Sequence, residues 1–421
     1  MKENVLIIYA SGGGGLIQAA EAKCQEILSE NPEANIIKKD LMIDWVGKPF
    51  GYFGVKAWDY AQKKGNIPRL EQIRSCQSAA DYLFWPNVFL RAVRILLKEN
   101  INRVIDTQPV CTAAVIKAIR FVNYHRKKNI QLEKVVVDLP TDLNTHYFLP
   151  IKKLSDKDRK FIRVFTVDPL LKDNETEEQF WERNCKLPLD RICLQKYFIR
   201  QSFKKYQNKD TIDTPTVIMA KCHDKEEIQM TEDVLSKKNI NFEKKDMDFF
   251  YKINANNLVY TILLGSQPAG DATIAYLNGF LNLFANSKKD LKHIIFIFCS
   301  KHNMKKRSLF KTVANFATEN NPYSNLIIIP ISFQNEEVIS PIFSRSNVTF
   351  TRSGGQTVME LMAVMRGKMF IHSEVKGEPT REKLLKGMYA WESGSALYLE
   401  EKNGATIVTP RTFEKHLSRY F

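Results

Sequence analysis

One segment near the C-terminus, residues 347–365, combines a strand pattern, a glycine loop and a helix pattern. Residues 347–351 are mostly apolar or β-branched, glycines follow at 354 and 355, and apolar residues then recur at helical spacing. Glycines let the backbone approach a ligand closely, and a helix that begins directly after them offers unpaired N–H groups and a positive dipole end to an anion. The segment therefore predicts a phosphate-binding loop.

The same segment allows a second interpretation. Thr357 and Glu360 have the spacing of a capping box, which would begin a helix without binding any ligand.

A second strand–glycine–helix pattern lies at the N-terminus. Residues 4–9 are typical of a buried parallel strand, and a helix pattern begins at Leu16. The loop between them consists of Ser11, Gly12, Gly13, Gly14 and Gly15. It lacks the Gly-Lys-Ser/Thr of an ATP-type P-loop, and Ile17 stands where the dinucleotide fingerprint has its third glycine. The loop either binds part of a ligand or is the ordinary opening turn of a doubly wound domain.

Strand and helix patterns alternate along the rest of the chain, which predicts the α/β class with parallel sheets covered by helices. A polar segment, residues 206–215, resembles a linker, after which the alternation restarts. We therefore expect two Rossmann-like doubly wound domains, residues 1–208 and 209–410, that face a central cleft. A final helix over 411–421 could pack back on the first domain. Ligands of open α/β sheets bind beyond the carboxyl ends of the strands, so both glycine loops should line the cleft.

Composition narrows the class of protein and partner. The chain has 421 residues and a formal net charge of +15, and its seven cysteines include no Cys-x-x-Cys pair. Neither a disulfide framework nor a zinc site is indicated, and the absence of a long apolar run or signal peptide predicts a cytoplasmic protein. The basic excess favours an anionic partner, either a phosphorylated ligand or an acidic membrane surface. No nucleic-acid-binding module is recognisable, so no nucleic-acid partner is expected.

Three local patterns carry a resemblance to a known family. They are residues 11–15 with the helix that follows, residues 135–142 with His146, and residues 352–361. They resemble, in order, the N-terminal glycine loop, the end of the acceptor domain, and the donor-site loop and helix of a glycosyltransferase family with the two-Rossmann-domain (GT-B) architecture. That family contains the lipid-intermediate N-acetylglucosaminyltransferase of peptidoglycan synthesis and monogalactosyldiacylglycerol synthase.

The resemblance implies a uridine diphosphate (UDP) sugar as donor. Carried over by motif, the residues that would hold the diphosphate are Ser353, Gly354, Gly355 and Thr357, with Arg352 and Gln356 in the same loop. Glu360 would bind the ribose, since a carboxylate accepts two hydroxyl hydrogen bonds well. Weaker candidates are Phe333 for the base, Gly265 and Ser266 for the lining of the cleft, and Glu392 for the sugar. Core packing for Phe333 and an exposed helix face for Glu392 are the alternatives.

One position departs from the family. The family loop commonly continues with a histidine, but this chain has Leu16. A different acceptor or a loss of activity would explain the change.

An inverting transfer needs a general base that takes the proton of the acceptor hydroxyl. Asp142 and His146 follow a predicted strand, so we assign Asp142 as the base and His146 as its helper or as a stabiliser of the leaving group. A turn-forming aspartate and a solvated histidine are the alternatives. Asp246 and Asp248 imitate the metal-binding pair of another glycosyltransferase architecture, but they lie among lysines, and we expect no metal and no cofactor besides the UDP-sugar co-substrate.

Aromatic residues between 45 and 60, in a segment expected to be irregular, and the segment 85–98 with its interleaved arginines are candidates for a lipid-facing patch. Packing of helices on the sheet is the alternative.

Taken together, the residues and the resemblance imply a metal-independent hexosyltransferase that uses a UDP-sugar, with a lipid-linked hydroxyl acceptor favoured and a peripheral position on the inner face of a membrane. A nucleotide-sugar 2-epimerase or hydrolase, a nucleotide-sugar-binding protein without catalysis, and a transferase with a protein acceptor stay open. The sequence makes no prediction of the sugar or of the oligomeric state.

Overall fold

The computed structural model describes residues 3–238, 240–265, 268–286, 291–300, 308–375 and 379–418. The chain divides into two compact units. The first contains Met1–Gln201, Gly354–Met359 and Tyr389–Tyr398, and the second contains Ser202–Ser353, Glu360–Met388 and Leu399–Phe421. Each unit is built around a six-stranded parallel sheet.

The sheet of the first unit has the strand order β2-β1-β3-β4-β5-β6, and every neighbouring pair is parallel. Its strands are β1 (Asn4–Tyr9), β2 (Asn35–Asp40), β3 (Arg103–Asp106), β4 (Leu132–Val135), β5 (Ile162–Thr166) and β6 (Ile192–Leu194). The apolar residues 5–8 of β1 are fully buried, as expected for a parallel strand covered on both faces. The strand order changes direction between β1 and β3, which makes this the switch point of the sheet.

The helices that follow these strands are α1 (Gly14–Glu30), α2 (Phe50–Lys63), α3 (Ile67–Ser75), α4 (Gln77–Lys98), α5 (Thr112–Arg126), α6 (Thr145–Lys152), α7 (Asp156–Arg159), α8 (Glu177–Cys185) and α9 (Gln201–Lys204). A π-helix covers Leu41–Val46 and a 3-10 turn covers Leu189–Arg191.

A small antiparallel sheet opens the second unit. It has the order β7-β9-β8, with β7 (Thr216–Lys221), β8 (Asn241–Lys245) and β9 (Asp248–Ile253). The large sheet of this unit has the order β12-β11-β10-β13-β14-β15 and is parallel throughout. Its strands are β10 (Leu258–Leu263), β11 (His293–Phe298), β12 (Leu326–Ile331), β13 (Val348–Thr351), β14 (Lys368–His372) and β15 (Thr406–Val408). Its switch point lies between β10 and β13.

The remaining helices are α10 (Lys225–Ser236), α11 (Gly270–Ala285), α12 (Leu309–Asn315), α13 (Glu336–Arg345), α14 (Gly355–Val364), α15 (Arg381–Lys386), α16 (Ala390–Asn403) and α17 (Glu414–Leu417), with a π-helix at Phe316–Asn320. Side chains begin several of them: Asn335 accepts a hydrogen bond from Val338 N at the start of α13, and Asp224 does the same for Glu227 N at α10. Phe413 and Leu417 are buried in the core of the second unit.

The predicted class, α/β with two parallel-sheet domains, is confirmed. One local prediction is wrong: the segment expected to be irregular between 45 and 60 contains most of α2. The alternation that restarts after the polar segment begins with an antiparallel strand, β7, rather than a parallel one. Asp246, with φ of 54°, lies in the tight turn between β8 and β9, and Asp248 is the first residue of β9.

Across the described residues, none of the helices has both the length and the apolar composition that crossing a membrane requires.

Candidate functional site

Each glycine loop begins beside the switch point of its own sheet. The first follows β1, and the second follows β13. In the second unit, Gly265 follows the neighbouring strand β10 with φ of +87°, and a Cβ added to it would lie 3.8 Å from Arg352 Cδ. Gly265 and Arg352 are therefore adjacent at a place where open α/β sheets bind ligands. Ser266, predicted beside Gly265, lies outside the described residues.

Helix α14 begins at Gly355, two residues before Thr357. Thr357 is therefore inside the helix, and the capping-box interpretation is wrong. The N–H of Gly355 instead donates a hydrogen bond to Asp138 Oδ1 over 3.2 Å. A carboxylate is stabilised there because the N-terminus of a helix carries unpaired N–H groups and partial positive charge.

The other oxygen of Asp138 contacts the imidazole of His146. Asp138 Oδ2 lies 3.0 Å from His146 Nε2, and about nine tenths of each side chain is buried. The ring of Trp391 lies 5.3 Å from the imidazole and that of Tyr147 lies 4.8 Å away. His146 Nδ1 is buried and makes no hydrogen bond to any described residue.

The first glycine loop adjoins the start of α14 within the first unit. A Cβ added to Gly15 would lie 3.7 Å from Gln356 Cβ, and one added to Gly12 would lie 4.0 Å from the ring of Trp58. Ser11 Oγ donates a hydrogen bond to Asp40 Oδ2. The side chain of Gln356 donates to Phe198 O over 2.6 Å.

Trp391 belongs to an aromatic cluster of the first unit. Its ring stacks on Trp58, with centroids 5.7 Å apart, and on Tyr389, with centroids 5.2 Å apart. Leu16, the position where the family commonly has histidine, packs against the hydrophobic core of the same unit. The apolar side chain therefore has a structural use at this position.

In the second unit, Arg352 is part of a buried chain of polar side chains. Its guanidinium donates to Glu374 Oε1, the other oxygen of Glu374 lies 3.3 Å from His372 Nε2, and His372 Nδ1 lies 3.0 Å from Tyr276 OH. Burial by itself would raise the pKa of Glu374, but contact with His372 and Arg352 outweighs it and lowers the pKa to about 2. Glu374 is thus ionised at neutral pH and compensates part of the charge of Arg352.

Asp142 and His146 have different partners. Lys172 Nζ lies 2.6 Å from Asp142 Oδ2, Arg183 Nη1 lies 2.7 Å from Oδ1, and Asn184 donates to Oδ1 over 3.2 Å. Burial would raise the pKa of Asp142, but these hydrogen bonds outweigh it and hold the pKa below its usual range. A carboxylate held in this way has a reduced tendency to take up a proton.

The other predicted donor residues differ in exposure. Phe333, directly beyond β12, is 62% exposed and is therefore not a core residue. Ser353 and Glu360 are buried within the second unit, and Glu392 is buried within the first.

Sequence reasoning did not single out Asp138, Glu374 or His372. Asp138 is the first polar residue after the apolar run 135–137, a signal that could have been used. His372 is the last residue of β14, and Glu374 lies just beyond the end of that strand. The sequence analysis did not predict this strand. Polar residues that follow a strand can be identified only when the strand itself has been predicted.

Comparisons with known proteins find distant likenesses in structure. The chain matches MurG of Acinetobacter baumannii at 12% sequence identity and a TM-score of 0.46, over 100% of this chain and 90% of that one. It matches UDP-GlcNAc 2-epimerase from Methanocaldococcus jannaschii at 11% identity and a TM-score of 0.46, over 100% and 92%. The spinosyn rhamnosyltransferase SpnG matches at 7% identity and a TM-score of 0.43, over 99% and 100%. No protein-family model matches the chain, and no curated protein matches it.

We predict that Gly355→Ala destabilises the protein by about 3 kcal/mol, because backbone atoms leave no room for a methyl group. A Cβ at this position would lie 2.0 Å from Val137 O and 2.7 Å from Asp138 Oδ1. Gly354→Ala is the matched control, since an added Cβ there meets nothing within 4 Å, and its cost should stay within about 1 kcal/mol. Urea unfolding of both variants measures the difference, and equal losses would contradict the packing described here.

We also predict that Glu374 makes stability depend on pH. Its pKa is depressed in the folded state, so its contribution is present above the ordinary glutamate value of 4.5 and is lost as pH falls toward about 2. Glu374→Gln should lower the free energy of unfolding by roughly 2–3 kcal/mol at pH 7, and the difference from wild type should shrink between pH 4.5 and pH 3.

The control for this series is Glu401→Gln, at an exposed position of α16, which should change the free energy of unfolding by less than about 0.5 kcal/mol at each pH. Urea unfolding at pH 7, 4.5 and 3 gives the three differences. A Glu374→Gln difference that stays constant over this range would show that Glu374 is not held ionised by its partners.

Proposed function

We propose that this chain is a UDP-sugar-dependent glycosyltransferase that transfers a hexosyl group, with inversion, to a hydroxyl acceptor. The observation that carries the proposal is the start of α14. This helix begins in a glycine loop beside the switch point of the second large sheet, and its first N–H already binds a carboxylate. The first turn of a helix presents several N–H groups to anions, and in this proposal the diphosphate uses those that Asp138 does not.

The donor in this proposal lies along the second glycine loop. The residues that would hold the diphosphate are Arg352, Ser353, Gly354, Gly355, Gln356 and Thr357, with Glu360 on the ribose hydroxyls. Phe333 would stack on the base, which its exposure supports. Gly265, next to Arg352, gives a backbone without a side chain where the donor passes, and Ser266 and Glu392 complete the proposed contacts.

In this proposal, Arg352 balances part of the negative charge of the diphosphate. Glu374 compensates part of the charge of Arg352, and the helix N-terminus adds partial positive charge, so the leaving diphosphate would meet fixed donors rather than mobile solvent. The proton of the acceptor hydroxyl would be taken at the other end of the reaction, where Asp142 and His146 are the candidates.

The proposed acceptor is a lipid-linked hydroxyl at an acidic membrane surface on the cytoplasmic side. Helix α2 supports this because two of its large aromatic side chains face solvent: Phe50 is 63% exposed and Phe53 is 72% exposed. Lys56 lies on the same helix, with Nζ 4.4 Å from the ring of Tyr52. Exposed rings with interleaved cations suit the interface of a membrane with anionic lipids.

We predict that UDP or one of its sugars stabilises the protein against heat, by about 2.7 kcal/mol at one hundred times the dissociation constant. Glu360→Gln should weaken that binding about tenfold or more, because a charged hydrogen bond to ribose is replaced by a neutral one. Thermal unfolding against UDP, ADP, GDP and TDP and their sugars measures the effect.

Glu401→Gln serves as the control in this assay too and should respond to the nucleotides as wild type does. If no nucleotide or nucleotide sugar shifts the unfolding temperature of the wild type, the proposed function is wrong.

We predict that the protein sediments with vesicles that contain phosphatidylserine more than with vesicles of phosphatidylcholine alone. The double variant Phe50→Ser/Phe53→Ser removes two rings that would be buried in the membrane when the protein binds. It should weaken the binding to the anionic vesicles by about tenfold or more. Phe242→Ser, at an exposed ring of β8 in the other unit, is the control and should bind as wild type does. Binding that is unchanged in the double variant would exclude α2 as the membrane-facing helix.

A further inference from the structure

We propose that His146 is the general base of the transfer, that Nδ1 is the atom that takes the proton, and that Asp138 is the residue that positions it. This inference rests on the proposed function, because it assigns a step within the same reaction. It changes the roles that the sequence suggested, where Asp142 was the base and His146 its helper.

The hydrogen bond between Asp138 and His146 fixes the state of the ring. An ionised carboxylate can only accept, so the contact of 3.0 Å between Asp138 Oδ2 and His146 Nε2 requires the proton to be on Nε2. A neutral imidazole carries a single N–H, so Nδ1 then holds a lone pair. Nδ1 is buried and makes no hydrogen bond to any residue that the structure describes, so its lone pair is not engaged there, and an acceptor hydroxyl would have to enter beside it to use it.

The surroundings hold His146 in place. The residue lies in the first turn of α6, whose preceding loop is tied by a hydrogen bond from Asn144 Nδ2 to Leu139 O of 2.7 Å. Tyr147, the next residue, is fully buried and donates its hydroxyl to Thr107 O over 2.6 Å. A base held by packing and hydrogen bonds keeps the geometry that proton transfer needs.

Asp138 also connects the base with the donor loop. Its second oxygen accepts the N–H of Gly355, the first residue of α14. One carboxylate thus orients the imidazole and contacts the loop that is proposed to hold the diphosphate. Among the described residues, the oxygens of Asp142 contact Lys172, Arg183 and Asn184, and none of these belongs to the donor loop.

The step balances in atoms and charge. The acceptor hydroxyl gives its proton to Nδ1 while its oxygen forms a bond to the anomeric carbon of the sugar. The bond from that carbon to the diphosphate oxygen breaks, and UDP leaves with the electron pair. Asp138 stabilises the imidazolium until the proton passes to solvent.

The first test uses water as the acceptor, so that no natural acceptor is needed. Release of UDP is measured with whichever UDP-sugar stabilises the wild type. His146→Gln should lower kcat at least one hundredfold while the dissociation constant of UDP changes less than threefold. Asp138→Asn should lower kcat at least tenfold, again without weaker binding of UDP, which separates positioning of the base from loss of the donor site.

Matched controls come from exposed positions. His125→Gln on α5 and Asp156→Asn on α7 should turn over the donor as wild type does. The proposal is overturned if His146→Gln keeps more than a tenth of the wild-type kcat, or if Asp142→Asn abolishes turnover while His146→Gln does not.

The second test reads the ring directly and needs no turnover. In protein labelled with ¹⁵N-histidine, the His146 signals, assigned by their absence in His146→Gln, should show a protonated Nε2 and an unprotonated Nδ1 at pH 8. Asp138→Asn should shift this tautomer ratio, whereas Asp156→Asn should not. A wild-type ring protonated at Nδ1 would overturn the proposal even if UDP binds. A ring with the expected tautomer in a protein that binds no nucleotide would show instead that the proposed function has failed, and the assignment of a base with it.

Discussion

The arrangement of the candidate site depends on the two hydrogen bonds of one carboxylate. Asp138 accepts a hydrogen bond from the N–H of Gly355, which lies 217 positions later in the chain. It also lies 3.0 Å from Nε2 of His146, which is 8 positions later. The first bond is possible because Gly355 has no side chain, since a Cβ would lie 2.0 Å from Val137 O. The glycine is therefore required by the close approach of two backbones, as well as by any ligand.

Two buried cations, Lys134 and Arg352, are each paired with a carboxylate of their own unit, so neither adds to the exposed positive charge. Lys134, fully buried in β4, has its Nζ 2.7 Å from Asp106 Oδ2 and 2.8 Å from Thr112 Oγ1. Arg352 is paired with Glu374. In such a pair, the attraction between the two charges offsets the cost of removing them from water, and the pair carries no net charge. The excess that could attract an acidic membrane must therefore come from exposed lysines and arginines, such as Lys56 on α2.

The sequence identifies the fold more reliably than the site, for a physical reason. Strands such as β1 and β13 are short runs of apolar or β-branched residues close to glycines, and this local pattern is enough to locate both loops. Helix α2 was missed because Gly47, Pro49 and Gly51 around its start indicate irregular backbone. Asp138 and Asp142 cannot be told apart by pattern, because both follow the same strand. Only their partners distinguish them. Asp138 contacts a histidine and a helix N-terminus, whereas Asp142 contacts two cations.

The change at Leu16 fits this arrangement. The resemblance places a histidine after the first glycine loop, but in this chain the position packs against the core of the first unit. An imidazole is present instead at the start of α6, where Asp138 fixes its orientation and Trp391 lies beside it. A general base needs a lone pair held at the reacting hydroxyl, and the element of the fold that supplies it is free to differ. In the proposed reaction, the absence of a histidine from the first glycine loop therefore does not imply the absence of catalysis, because another loop of the same sheet carries the group.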